Sequence, residues 1–144
     1  MSTMMIRERK EQRLPTGGIS KGRLWTARIM SGIGILFMLM DGIGKLTAPA
    51  PVVEATLALG FAERHMVVMG VLGLLSTLLY AIPRTSFLGG LLLTGYLGGA
   101  IAAQVRVDAP LFSSILFSVY LALLFWGALW LRDERVRNLF APRR

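Results

Sequence analysis

Four stretches of the chain are apolar almost without interruption: Leu24–Leu46, whose most apolar part is Ile29–Met40, then Met66–Ile82, Phe87–Val105 and Leu111–Leu131. The hydrocarbon core of a bilayer is about 30 Å thick and takes roughly 20 apolar residues in helical form. A helix also satisfies its own backbone donors and acceptors, which hydrocarbon demands of any segment that crosses it. Each stretch therefore predicts a membrane-spanning helix, the second being the shortest. Ile82-Pro83-Arg84-Thr85-Ser86 reads as a turn, because Pro83 has no N–H and disfavours helix at Ile82. Arg106–Pro110 is a short link between the last two stretches. The longest link is Thr47–His65, where Pro49 and Pro51 suit the start of a helix and Gly60 its end. Val52, Val53, Thr56 and Leu57 would give that helix a mildly apolar face, either lying on the membrane interface or packed over the bundle. The expected fold class is an all-α polytopic membrane protein, an up-down-up-down bundle of four transmembrane helices with a short interfacial helix between spans one and two. The bundle occupies 24–131, between a basic tail of 1–23 and a second basic tail of 132–144.

Composition sharpens this. Of 144 residues, 54% are hydrophobic and 17% charged, against about 25% charged in ordinary soluble domains. An ordinary soluble enzyme and a disordered protein are excluded. The absence of cysteine removes disulfides and thiolate metal sites from this chain acting alone. The net charge of +8 could point to nucleic acid, but the basic residues are not interleaved with aromatics. They flank the apolar stretches instead. With the N-terminus inside, thirteen Lys and Arg fall on the inner side and three (Lys45, Arg64, Arg106) on the outer. That bias predicts a cytoplasmic membrane protein with both termini cytoplasmic and anionic lipid head groups at its basic tails. A signal-peptide reading with cleavage at Ala48-Pro49-Ala50 is less favoured: Pro51 would follow the cut, and Asp41 and Lys45 precede it.

Helix contact in a bilayer relies on small residues and a few polar bonds. Gly95-x-x-x-Gly99 and Gly99-x-x-x-Ala103 share one face of the third span. With Ser31, Gly32, Gly34, Gly70 and Gly73 they would line internal seams and put that span at the centre; the alternative is a homodimer face. Ionisable groups inside a span are costly and therefore informative. Arg28 sits one turn in and can snorkel to the interface. Asp41 and Lys45 are four residues apart and can pair on one helical face. Gln104 and Arg106 fall at a similar depth on the third span, with Tyr96 deeper. If spans one and three touch, Asp41, Lys45, Tyr96, Gln104 and Arg106 form a ligand pocket under the outer surface; otherwise they are interfacial anchors around one ion pair. Tyr120, midway along the fourth span, calls for a partner such as Ser76, Thr77 or Thr94. Trp25, Trp126 and Trp130 fit an aromatic belt. His65 is the single histidine and lies outside the spans, so bis-histidine haem ligation is excluded. No metal-ligand spacing or phosphate-binding loop is present.

Ile82-Pro83-Arg84-Thr85, the stretch LLTGYLGGAIAAQVRV at Leu92–Val107, Asp41-x-x-x-Lys45 and the run Leu131-Arg132-Asp133-Glu134-Arg135 resemble the DoxX-like family of small four-helix bacterial membrane proteins over about residues 25–140. The family is named after a small subunit of a thiosulfate:quinone oxidoreductase. The resemblance thus implies an accessory or partner-binding subunit of a membrane complex, with a redox link. A quinone- or lipid-binding oxidoreductase component is the alternative, and a small transporter is less favoured, since no inverted repeat is visible. No cofactor is expected beyond that quinone. Related sequences often carry His where this one has Gln104, which puts any imidazole-dependent role in doubt.

Overall fold

A computed structural model describes residues 18–141. Arg7, Arg9, Lys10, Arg13, Arg143 and Arg144, to which the charge argument appeals, lie outside the described residues. The elements are α1 (Lys21–Thr47), α2 (Ala50–Ala58), α3 (His65–Ala81), α4 (Ser86–Arg106), a π-helical turn (Leu111–Ile115) running into α5 (Leu116–Arg132), and α6 (Glu134–Phe140). Helices α1 and α4 and the Leu111–Arg132 stretch are long and apolar enough to cross a membrane; α3 is apolar but has 17 residues. At 1.5 Å per residue it reaches only about 25 Å.

The ends follow the sequence chemistry. Ser20 accepts from Arg23 N at α1's start, and Ala48 (φ 48) closes its end in the left-handed region. Pro49 and Pro51 open α2, and Gly60 at φ +81 turns the chain after it. Ile82 is extended before Pro83, ending α3. The last carbonyls of α3 lack helical partners, and the following residues supply them. Thr85 Oγ1 donates to Leu79 O at 2.7 Å, Ser86 Oγ to Tyr80 O at 2.7 Å, and Arg132 Nη2 to Tyr80 O at 3.3 Å.

The four long helices form a ring in which α1 neighbours α3 and α5, and α4 neighbours the same two. Glycines set the close approaches. A Cβ on Gly34 would meet the Phe125 ring at 2.6 Å, tying α1 to α5, and one on Gly70 would meet Gly42 O at 3.0 Å, tying α3 to α1. A Cβ on Gly89 would collide with the Tyr80 backbone, so α3 and α4 touch main chain to main chain beside their short turn. Tyr80 is fully buried there. Its hydroxyl donates to Phe125 O at 2.9 Å and lies 3.3 Å from Ser31 Oγ, while its ring packs edge-on against Phe125 at 4.7 Å. Met38, Leu93, Leu97, Leu121 and Leu129 complete the core around it.

Several expectations are corrected. The third span, α4, is one of four ring members and not the centre. Among the described residues nothing lies within 4 Å of a Cβ placed on Gly95, Gly98 or Gly99, so these glycines do not line a packed seam. Gly32 is equally open, whereas Gly34, Gly70 and Gly73 are buried. Tyr120 is 57% exposed and faces outward. Ser76 and Thr77 turn back to carbonyls of their own helix. Thr94 serves Trp126, whose Nε1 donates to it at 2.8 Å, so Trp126 is a seam residue while Trp25 and Trp130 are exposed. The short helix expected between spans one and two is present as α2, and it packs over the bundle end with Thr56 buried. Part of the stretch expected as a C-terminal tail is helical: Asp133 caps α6 by accepting from Arg135 N at 2.9 Å, and Val136 is buried.

This packing separates glycines by consequence. Gly89→Ala should destabilise the bundle by about 2 kcal/mol or more, since the new methyl meets backbone. Gly98→Ala should be neutral or stabilise by up to about 1 kcal/mol through helix propensity. Thermal unfolding in detergent reads both; equal effects would refute the assignment.

Candidate functional site

At the end of the bundle away from the Ile82–Ser86 turn, a cavity of about 420 Å³ opens between the helices. It is lined from all four long helices and from the α2 cap. The volume exists because α4 contributes Gly95, Gly99, Ala100 and Ala103 to its wall, positions with little or no side chain. Apolar lining comes from Phe37, Met38, Met69, Leu72 and Leu121, and Leu59 and Phe61 close it from the cap.

Asp41, Lys45, Tyr96 and Gln104 all line this cavity. Asp41 and Lys45 form the ion pair that their i, i+4 spacing implies, one helical turn apart on α1. Lys45 is 16% and Asp41 30% exposed, so the pair is largely withdrawn from solvent. Tyr96 crosses from α4 past Gly73 of α3, where a Cβ would meet its Cζ at 3.2 Å, and donates to Asp41 Oδ2 at 3.2 Å. Helices α1 and α4 are thus diagonal in the ring, yet joined by one long side chain. The carboxylate consequently has a partner for each oxygen, as an ionised group in a low-dielectric setting requires.

Gln104 differs from these three. Its Oε1 is buried and has no hydrogen-bond partner among the described residues. A buried amide oxygen without a donor costs about 1–3 kcal/mol, and the side chain that carries it lines the cavity. Arg106, in contrast, does not line the cavity. Its Nη2 donates to Leu59 O at 2.7 Å and packs under Gly60, so it fastens the cap to the end of α4. Sequence spacing placed it at the right depth but could not supply the direction of its side chain. Thr56, Phe61 and Ser118 also line the cavity. No spacing pattern marks them, because they reach it through the fold of the cap and the start of α5. The cavity thus offers a neutralised ion pair, a phenol and an open acceptor at the edge of an apolar volume, which suits an uncharged polar head on an apolar body.

The ion pair predicts a non-additive response. Asp41→Ala should cost about 2 kcal/mol by leaving Lys45 unpaired, and adding Lys45→Met should recover at least half of it. Thermal unfolding of the three variants in detergent measures the coupling; purely additive losses would refute it.

A family model described as the DoxX-like family matches residues 29–128. That span runs from the first turns of α1 to the last turns of α5 and contains every lining residue of the cavity. No match to a curated protein or to a solved structure accompanies it. With its matched helices and the apolar surfaces they present, the chain belongs to the DoxX-like family and is an integral membrane protein.

Proposed function

We propose that this protein is the lipophile-binding component of a membrane assembly, holding a small quinone- or lipid-like molecule in the cavity beside Asp41, Lys45, Tyr96 and Gln104. The observation that carries the reading is the apolar cavity of about 420 Å³ lined by Gln104, whose buried Oε1 has no partner among the described residues. Small-molecule sites are mostly apolar clefts of about 300–1,000 Å³ with a few placed polar groups. A quinone-type head fits the residues present: its carbonyls would accept from the spare Lys45 ammonium protons, its reduced quinol form would also donate to Gln104 Oε1, and Phe37 and Phe117 line the volume its ring would take. The chain's own residues bind and orient the head group; any electron transfer belongs to partner subunits. An accessory role in a redox-linked complex and a ligand-binding role are thus one function. The protein crosses the cytoplasmic membrane four times with both termini cytoplasmic, which puts the cavity near the outer face and the basic ends against anionic lipid.

Two measurements test this. In mild detergent, equilibrium dialysis with a short-chain benzoquinol kept reduced should show Gln104→Leu and Lys45→Met each weakening binding about tenfold, equivalent to about 1.4 kcal/mol. No binding, or unchanged affinity in both variants, would overturn the site. Because the chain has no cysteine, Ser2→Cys and Arg144→Cys report orientation cleanly. Neither should react with an impermeant maleimide added outside intact cells, and labelling of either would overturn the topology.

A further inference from the structure

The cavity is closed unequally along its seams. Between α1 and α5, the rings of Phe37 and Phe117, each with an exposed edge, meet edge-on at 4.8 Å across the seam. Between α1 and α3, a Cβ on Gly42 would meet Leu74 Cγ at 2.5 Å. The cap is fastened by Arg106 on Leu59 O. Helices α4 and α5 are joined at this end by the short link Val107–Pro110. Helices α3 and α4 meet main chain to main chain at the opposite end, where Gly89 lies against the Tyr80 backbone, and partway up the Tyr96 ring of α4 sits against Gly73 of α3. Beyond that contact Gly95 and Gly99 face open space. Leu72, Gly95 and Gly99 are all exposed, and all three line the cavity. The cavity therefore reaches the lipid-facing surface through a crevice beside Leu72 of α3 and Gly95 and Gly99 of α4.

Two further features restrict what enters. Asp41 and Lys45 neutralise one another, so a charged head would have to break that pair in a setting of low dielectric. Gln104 Oε1 needs a donor, while the Lys45 ammonium has protons to give. A hydroxyl supplies the donor and accepts in turn. Building on the binding site proposed above, we propose that the α3–α4 crevice is a lateral portal onto the bilayer. Through it the cavity takes a single-chain lipid with an uncharged, hydroxyl-bearing head, whose chain runs out past Leu72, Gly95 and Gly99. The glycines on α4 serve as the space for that chain, which explains why they pack against nothing within the bundle. The ligand is drawn from the membrane and never crosses water, and the cap can stay shut throughout.

The test uses two monoacylglycerols with the same head, one with a six-carbon and one with a sixteen-carbon chain, and the protein in nanodiscs. The double variant Gly95→Leu/Gly99→Leu fills the crevice, and the open space at both positions leaves the fold intact. It should weaken the long-chain lipid at least tenfold while leaving the short-chain one within twofold. Gln104→Leu should weaken both. Equal loss of both lipids in the glycine variant, or of neither, would overturn the portal while leaving the head-group site standing. Failure of the wild type to bind either would overturn the site itself. A change of oligomeric state in the glycine variant, with lipid affinity unchanged, would assign this face to a second copy of the chain and likewise overturn the portal. Tighter binding of the sixteen-carbon fatty acid than of its monoacylglycerol would overturn the uncharged head.

Discussion

The arrangement of the bundle depends on the rule that a polar group in hydrocarbon must find its partner inside the protein. Tyr80 is where the rule acts most strongly. Its hydroxyl is engaged by α5 and α1 through Phe125 O and Ser31, and its carbonyl by α4 and α5 through Ser86 and Arg132. Arg132 also lies 5.0 Å over its ring. One residue thus joins all four long helices at the end where the Ile82–Ser86 turn brings α3 and α4 together. Because lipid tails are as apolar as the helix surfaces, such bonds and the backbone contact at Gly89 decide which helices touch.

Tight closure at one end leaves slack at the other. Helices α3 and α4 touch at Gly89 and again where Tyr96 sits against Gly73, and beyond that the small residues of α4 leave the cavity. What crosses the gap is polar: the Tyr96 hydroxyl on Asp41, whose other oxygen pairs with Lys45, and the Arg106 latch on the cap. The two ends therefore handle polar groups in opposite ways. At the turn end, among the described residues, every buried side-chain donor and acceptor has a partner. At the cap end Gln104 keeps an acceptor open, and the cavity supplies the room for its partner.

Much of this was legible in the sequence where the signal is local. The four apolar stretches, the break at Ile82-Pro83, the helix ends at Pro49, Pro51 and Gly60, and the Asp41–Lys45 pair all follow from residue type and spacing within one helix. The meeting of Asp41, Lys45, Tyr96 and Gln104 was anticipated from depth along two spans. Misreadings came where direction around a helix mattered. Gly95 and Gly99 carry the small-residue spacing of a packed seam, yet they face a gap. Tyr120 and Tyr80 both sit in apolar spans, and spacing alone does not say which faces inward.

By itself the sequence determined the material of the fold: an apolar chain without cysteine, divided into bilayer-length helices, with its charge gathered at the ends and few polar residues between. Those are properties of windows of some twenty residues, and the energetics of crossing hydrocarbon reads them directly. Only the tertiary structure decided the rest: that α1 and α4 are diagonal, that Tyr80 is the hub, that Arg106 holds the cap, and that Gly95 and Gly99 face open space beside the cavity. The physical reason is that these outcomes depend on which face of each helix meets which neighbour. In a bilayer that choice turns on a few contacts between residues far apart in the chain, Tyr80 with Phe125 and Tyr96 with Asp41 among them.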